Sequence, residues 1–207
     1  MRNSVLLHIP QEEFRALSPQ LEFVALAQGC QLGREGDRVK TAYFLNEGMA
    51  SMIIETKDGR SVQVGMAGRE EMIGLPLSGG LDDHTYNIVM QLAGNGFRIS
   101  AEAIKKSLPQ LPELQRQLLR RLAIRAVELA QNTACNRLHN VKERLARWLL
   151  STHDRLTSDV IAMTHDFLSK LVGTDRATVT VTLSQLERCG TIRQSRGAIA
   201  VVNRAKL

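Results

Sequence analysis

The chain has 207 residues, 43% of them hydrophobic, and a formal net charge of +6. That apolar content excludes a disordered chain, and no run approaches the ~18 consecutive apolar residues of a membrane span. The charge is segregated: residues 1–136 hold 15 Lys and Arg against 15 Asp and Glu, whereas residues 137–207 hold 12 against 6.

A neutral first part and a basic last third predict a regulatory domain joined to one that binds a polyanion. Cys30, Cys135 and Cys189 lie far apart with no paired spacing. This argues against a zinc, iron–sulfur or disulfide framework and fits a reducing, cytoplasmic setting. The short apolar run at 5–9 has no small-residue cleavage site behind it, so no leader and no membrane partner are expected.

In chain order, residues 3–28 read as a lead-in and two small helices, with Pro10 in a first turn and Ser18-Pro19 restarting. Twelve of the 15 glycines fall between Gly29 and Gly96. Between them lie short β-rich runs at 43–45, 49–55, 61–66, 86–92 and 96–99, with a hairpin turn at Lys57-Asp58-Gly59-Arg60. Many short strands with regular turns predict a sandwich or barrel. From 108 to about 135 the pattern is helical, and Leu111, Leu114, Leu118, Leu122 and Leu129 share one stripe. That stripe can pack on its own β-domain, and at this length it also predicts a partner helix, hence a homodimer. Near Asn136 the chain passes into the basic part, where Val141, Leu145, Trp148 and Leu149 mark a further helix. A polar loop is expected at 151–159, then a short strand or lead-in at 160–163. The domains expected are 1–107, 108–136 and 137–207.

Residues 164–189 read as helix, tight turn, helix. Thr164 can N-cap the first helix, Gly173 suits its left-handed stop, and Asp175 or Thr174 can cap the second. Val179, Leu183 and Leu186 give the second helix a buried stripe. The opposite side carries Ala177, Val181 and Ser184, flanked by Thr178 and Thr180, with Arg176 in the first turn. Small side chains let a helix lie deep in a major groove, and an arginine there can read guanine with two hydrogen bonds. Arg176 is therefore assigned to a base, and Ala177 and Val181 to base edges. Thr164, Thr178, Ser184 and Arg196 are assigned mainly to phosphates. The segment 191–202 reads as strand, turn, strand with Arg193 and Arg196, which makes the whole a winged helix.

The run Leu171-Val172-Gly173-Thr174-Asp175-Arg176-Ala177-Thr178-Val179, with Leu186-Glu187 and Gly190-Thr191-Ile192, resembles the C-terminal signature of the Crp/Fnr transcription regulators. The resemblance implies an α+β chain: a cyclic-nucleotide-binding-like β-roll, a long dimerisation helix and a winged helix-turn-helix. It implies double-stranded DNA, a second copy and RNA polymerase as partners. The family usually has an acidic residue where Ala177 stands, which puts the usual half-site in doubt.

Cyclic-nucleotide binders of that family hold the phosphate with a Gly-Glu pair and an Arg followed by Ser/Thr and Ala. Here the cassette reads Gly74-Leu75, then His84-Thr85-Tyr86, so Leu75 replaces the Glu, His84 the Arg and Tyr86 the Ala. Leu129 and Ala130 fall where such binders have hydroxyls facing the adenine. The cassette thus lacks its anion chemistry, and the substitutions leave room for a small apolar effector or none. The iron–sulfur members need an N-terminal cysteine cluster, and only Cys30 lies there. His84 is a conceivable haem ligand, but a lone loop histidine reads more simply as a surface residue. His8, His139, His153 and His165 show no ligand spacing. The rival readings are an enzyme, for which no nucleophile, metal or phosphate-loop motif is present, and a protein–protein adaptor that retains a winged helix. The adaptor has no need of Arg176, Arg193 and Arg196.

Overall fold

The computed structural model describes residues 1–59, 61–156 and 158–207. The turn expected at 57–60 ends on Arg60, and the loop expected at 151–159 contains Thr157; both residues lie outside the described ones. The chain divides into two compact units, Met1–Met52 with Gly65–Leu129, and Ile53–Val64 with Ala130–Leu207. No helix among the described residues is long and apolar enough to cross a membrane.

In the first unit, helices α1 (Ser4–Leu7) and α2 (Gln11–Leu17) precede strands β1 (Glu22–Leu26) and β2 (Gln31–Gly33). Pro10 is the N-cap of α2, outside its first turn, and β1 is a strand the residue pattern did not suggest. Strands β3 (Thr41–Glu55), β4 (Ser61–Ala67), β5 (Met72–Ile73) and β6 (Asn87–Ser100) complete a six-stranded sheet. Its order is β1-β6-β3-β4, with β2 on β6 and β5 on β3. The separate runs expected at 43–45 and 49–55, and at 86–92 and 96–99, are single long strands. The glycines between them allow close approach where β6 runs beside β3. A Cβ at Gly94 would meet the Glu47 carbonyl, and one at Gly96 the Phe44 carbonyl.

Helices α3 (Ala101–Ser107) and α4 (Pro112–Leu138) follow. Leu111 (3% exposed), Leu114 and Leu118 (both 0%) are buried with Phe44, Met72 and Ile104, and Leu122 packs partly buried against them. Leu111, Leu114 and Leu118 therefore belong to the core of their own unit and leave no surface for the dimer seam expected of them, whereas Leu122 and Leu129 keep accessible surface. A side chain with no surface left cannot meet a second molecule. Away from that stripe α4 exposes Leu119 (47%) and Val127 (70%), and Leu129 (42%), at the far end of the stripe itself, is exposed as well.

The same helix turns two arginines inward. Arg121 Nε donates to Glu71 Oε2 at 2.8 Å, Arg125 pairs with the other Glu71 oxygen, and Arg125 Nη2 donates to the Met66 carbonyl at 2.7 Å. Arg121 Nη2 also reaches both oxygens of Glu128 at 3.0 Å. Glu71 is fully buried, and Asn3 Nδ2 donates to its carbonyl at 3.0 Å. Burial drives the Glu71 carboxyl upward, against the pull of Arg125 and Arg121. Burial acts to lower Arg121, but Glu71 and Glu128 outweigh it and raise the guanidinium above its ordinary value. Removing one member of such a cluster strands the others. Glu71→Ala is accordingly expected to cost about 3–5 kcal/mol, read as a lower midpoint in denaturant with unchanged slope.

In the second unit, α5 (Val141–His153) leads to β7 (Val160–Ala162), α6 (His165–Val172), α7 (Arg176–Arg188), β8 (Ile192–Ser195) and β9 (Ala198–Val201). α4 ends at Leu138, beyond the Asn136 expected, and Asn140 starts α5 through a capping box with Glu143. Residues 151–153, expected as loop, are the last turn of α5. Trp148 Nε1 donates to Gln63 Oε1 at 2.7 Å, which ties the tip of the β3–β4 hairpin to α5 within this unit. Leu145, Leu149, Ile161, Leu168, Val179 and Leu183 form a fully buried core. The three-stranded sheet has the order β7-β9-β8, antiparallel, with Ile192 opposite Val201 and Val160 opposite Ala200.

Candidate nucleic-acid interface and effector pocket

Each end of the helix-turn-helix is set by a side chain. Thr164 Oγ1 accepts from the Phe167 amide at 3.2 Å and starts α6. Gly173 stops it at φ 70°, and Arg144 Nη1 donates to the Val172 carbonyl at 3.0 Å. Asp175 is the N-cap of α7: it accepts from the Thr178 amide at 2.8 Å and from the Thr178 hydroxyl at 2.6 Å. These bonds hold its carboxyl below the ordinary carboxylate value, the Thr178 hydroxyl contributing most. Val179, Leu183 and Leu186 face inward, while Arg176, Ala177, Thr180, Val181, Gln185 and Arg188 are exposed.

The hydroxyls of α7 are spent within the helix. Thr180 Oγ1 donates to the Arg176 carbonyl at 2.9 Å, Thr182 Oγ1 to the Thr178 carbonyl at 2.7 Å, and Ser184 Oγ to the Thr180 carbonyl at 2.9 Å. His165 Nδ1 lies 3.0 Å from Thr180 Oγ1 and supplies that oxygen with a second bond. A phosphate oxygen needs a donor, and these protons already have acceptors. Thr178 and Ser184 thus present methyl and methylene surface, and Thr180 and Asp175 position the helix. Behind it, Gln194 donates its amide to Glu187 Oε1 at 2.7 Å and its side chain to Oε2 at 2.9 Å, fastening β8 to α7. Strand β8 exposes Arg193, and the β8–β9 turn exposes Arg196 beside Gly197 at φ 73°.

In the first unit, Gly74 adopts φ 95° and opens a 3-10 turn over Leu75–Gly79. A cavity of about 30 Å³ lies beneath it, lined by Leu75, His84, Thr85, Tyr86, Leu122 and Arg125 among others. That is room for about two waters. Leu75 is 4% exposed, and Tyr86 is pushed upward in pKa, mainly by burial. His84, read from sequence as a surface histidine, is buried: its amide donates to the Asp37 carbonyl at 2.9 Å, and its ring fills the space a Cβ on Gly33 would take. Burial lowers its pKa, outweighing Asp37 and Asp83, which favours the neutral ring. Gly74, Leu75, His84 and Thr85 do come together around the cavity. Leu129 and Ala130 do not line it; on α4 Leu122 and Arg125 do.

The pattern of the Crp-like helix-turn-helix domain matches residues 143–207. Over the whole chain there is 24% identity across 213 aligned positions with the CRP-like cAMP-activated global transcriptional regulator of Mycobacterium tuberculosis, covering 100% of this chain and 95% of that protein. FixK2 of Bradyrhizobium japonicum shares the fold at a TM-score of 0.76 and 18% identity, over 89% of this chain and 93% of that one. So does the c-di-GMP responsive global regulator CLP of Xanthomonas campestris, at 0.74 and 19%, over 93% and 99%. Residues 143–207 are thus similar to a Crp-like helix-turn-helix domain. The chain as a whole has the α+β architecture of these solved regulators.

Two features of this winged helix escaped the residue pattern. Gln185 and Arg188 extend the exposed face beyond Ser184, four and seven residues after Val181, a spacing that was legible in the sequence. Glu187 carries part of the family signature, yet its task as the clasp for Gln194 depends on where β8 returns. The Gln194 amide, then its side chain, holds the Glu187 carboxyl below its ordinary value of 4.5. A carboxyl depressed in the folded state contributes stability above its unfolded pKa and loses it as pH falls through the lower folded value. Hydrogen exchange at the Gln194 amide should therefore lose protection as pH drops below about 4.5, the ordinary value. Glu187→Ala should show the same loss at neutral pH, with the amides of Val179 and Leu183 unchanged.

Proposed function

We propose that this chain is a homodimeric, sequence-specific transcription regulator that takes neither cyclic AMP nor cyclic GMP and acts on RNA polymerase from a bound operator. The observation that carries the reading is the exposed face of α7. Arg176 stands at its amino end, small or methyl-bearing side chains follow, and Gln185 lies a turn beyond Val181. Arg176 reads guanine, Gln185 has the donor and acceptor to read adenine, and Ala177 and Val181 pack on base edges. Arg193 and Arg196 on the wing, with Thr164 at the start of α6, hold phosphates. An adaptor surface would not need this cationic flank.

In a randomised site library, Arg176→Ala should cost about 1–3 kcal/mol and relax preference at one base pair, whereas Arg196→Ala should weaken all sequences alike. Equal losses across the library from both variants would overturn this division of roles.

The dimer seam is the outward face of α4. Leu119, Ala123, Val127, Ala130 and Ala134 recur there at intervals of three or four and are exposed, and their small side chains suit close helix approach. Two copies would set their recognition helices on half-sites ~34 Å apart. Light scattering should find a dimer for the native chain and monomers for Leu119→Glu with Val127→Glu. A native monomer at micromolar concentration would refute the assembly.

Independence from cyclic nucleotides is supported by the cavity and by the cassette. A space of about 30 Å³ does not hold a nucleotide, Leu75 removes the ribose carboxylate, and His84, whose neutral ring burial favours, cannot replace an arginine. Arg125 is the cation at the cavity, and Glu71 holds it. Burying a phosphate charge without a partner costs several kcal/mol. The M. tuberculosis relative is called cAMP-activated and the X. campestris one c-di-GMP responsive, so the likeness transfers no single effector. Titration calorimetry should show no saturable heat with either cyclic nucleotide, and operator binding should need none.

A further inference from the structure

The β-roll cavity is small, but the second unit holds a cleft of about 660 Å³. It is bounded by the carboxyl end of α4, the His139-Asn140 joint, α5, the carboxyl end of α7 and the start of the wing. This size falls within the ~300–1,000 Å³ of small-molecule sites. Its apolar wall is Cys135, Ala146, Leu150 and Leu186. Its charged members are Lys142, Arg147 and Lys206 against one side-chain carboxylate, Glu143. That carboxylate is already occupied, since Glu143 accepts from the Asn140 amide at 2.8 Å in the capping box of α5. The Nε of Arg147 is buried and, among the described residues, has no hydrogen-bond partner. His139, beside the joint, adds an imidazole to the rim.

We propose that this cleft is a ligand site for a small amphipathic anion. Its apolar body would lie along Ala146, Leu150 and Leu186, and its carboxylate or sulfonate would meet Arg147 and Lys142. The sign of the ligand follows from the excess of cations, Lys142, Arg147 and Lys206, over the single side-chain carboxylate, Glu143. Amphipathic character follows from the apolar wall that faces them. Because the cleft touches the carboxyl end of α7, occupancy also biases the setting of the recognition helix; this second half rests on the DNA-binding reading above.

Decanoate is the probe, with decyltrimethylammonium as the same body of opposite charge. Calorimetry on the full chain without DNA should show one saturable decanoate site per chain and none for the ammonium. Ala146→Phe, which fills the cleft, should abolish the heat. Lys142→Met, a change to an exposed side chain, should weaken it about fivefold or more with folding intact. Decanoate heats that do not saturate, that the ammonium reproduces, or that survive Ala146→Phe would overturn the site. In a separate arm, saturating decanoate should shift operator affinity of the native chain by ~5-fold or more, and not that of Ala146→Phe. No shift would overturn the coupling. Failure of the calorimetry would leave the reading of α7 untouched, and the converse also holds.

Discussion

The first unit depends on one buried carboxylate. Glu71 sits fully enclosed between two guanidiniums of α4, and its own carbonyl is held by Asn3 from the amino end. Hydrophobic burial of Leu114 and Leu118 fixes which face of α4 meets the sheet, but it is non-directional. A charge that loses several kcal/mol when stranded fixes the register. It also reinforces which face of α4 remains outside. Arg121 and Arg125 point inward, so Ala123 and Val127 must point outward. The proposed seam is thus a consequence of the buried ion cluster as much as of its own apolar residues.

The same cluster bears on the effector pocket. Arg125 lines the cavity under Gly74, but its charge is engaged by Glu71 and the Met66 carbonyl. A guanidinium so held has little capacity left for a phosphate. With Leu75, Tyr86 and His84 filling the remaining space, the β-roll keeps the cassette's shape without its anion chemistry. The room expected for a small apolar effector is largely taken by these same side chains. The larger cleft lies in the other unit, where cations and an apolar wall occur together.

The recognition helix shows how a threonine-rich sequence can be a stable helix and still a bare surface. Threonine lowers helix propensity partly because its hydroxyl competes for backbone groups. In α7 those hydroxyls bond carbonyls four residues back or the capping Asp175, so the competition is resolved inside the helix. What is left outside is methyl groups around Arg176 and Val181. On the proposed reading, direct readout rests on few groups, chiefly Arg176 and Gln185, and on shape.

The sequence by itself determined the local elements of the second unit. Thr164, Gly173 and Asp175 cap or stop helices by bonds to residues three or four away, and the turn at Arg196-Gly197 needs only its own glycine. Charge segregation needed no structure either. Tertiary structure alone decided the direction of side chains whose neighbours come from afar. The stripe of Leu111, Leu114 and Leu118 had two possible partners, and only the β-roll packed on it chose between them. His84 reads as a loop histidine until Gly33 is brought beneath it. Leu129 and Ala130 miss the cavity because the rotation of α4 is set by Glu71, 50 or more positions earlier in the chain than its arginines. Local periodicity carries no information about such a contact, because the energy that fixes it is a charge pairing across the fold.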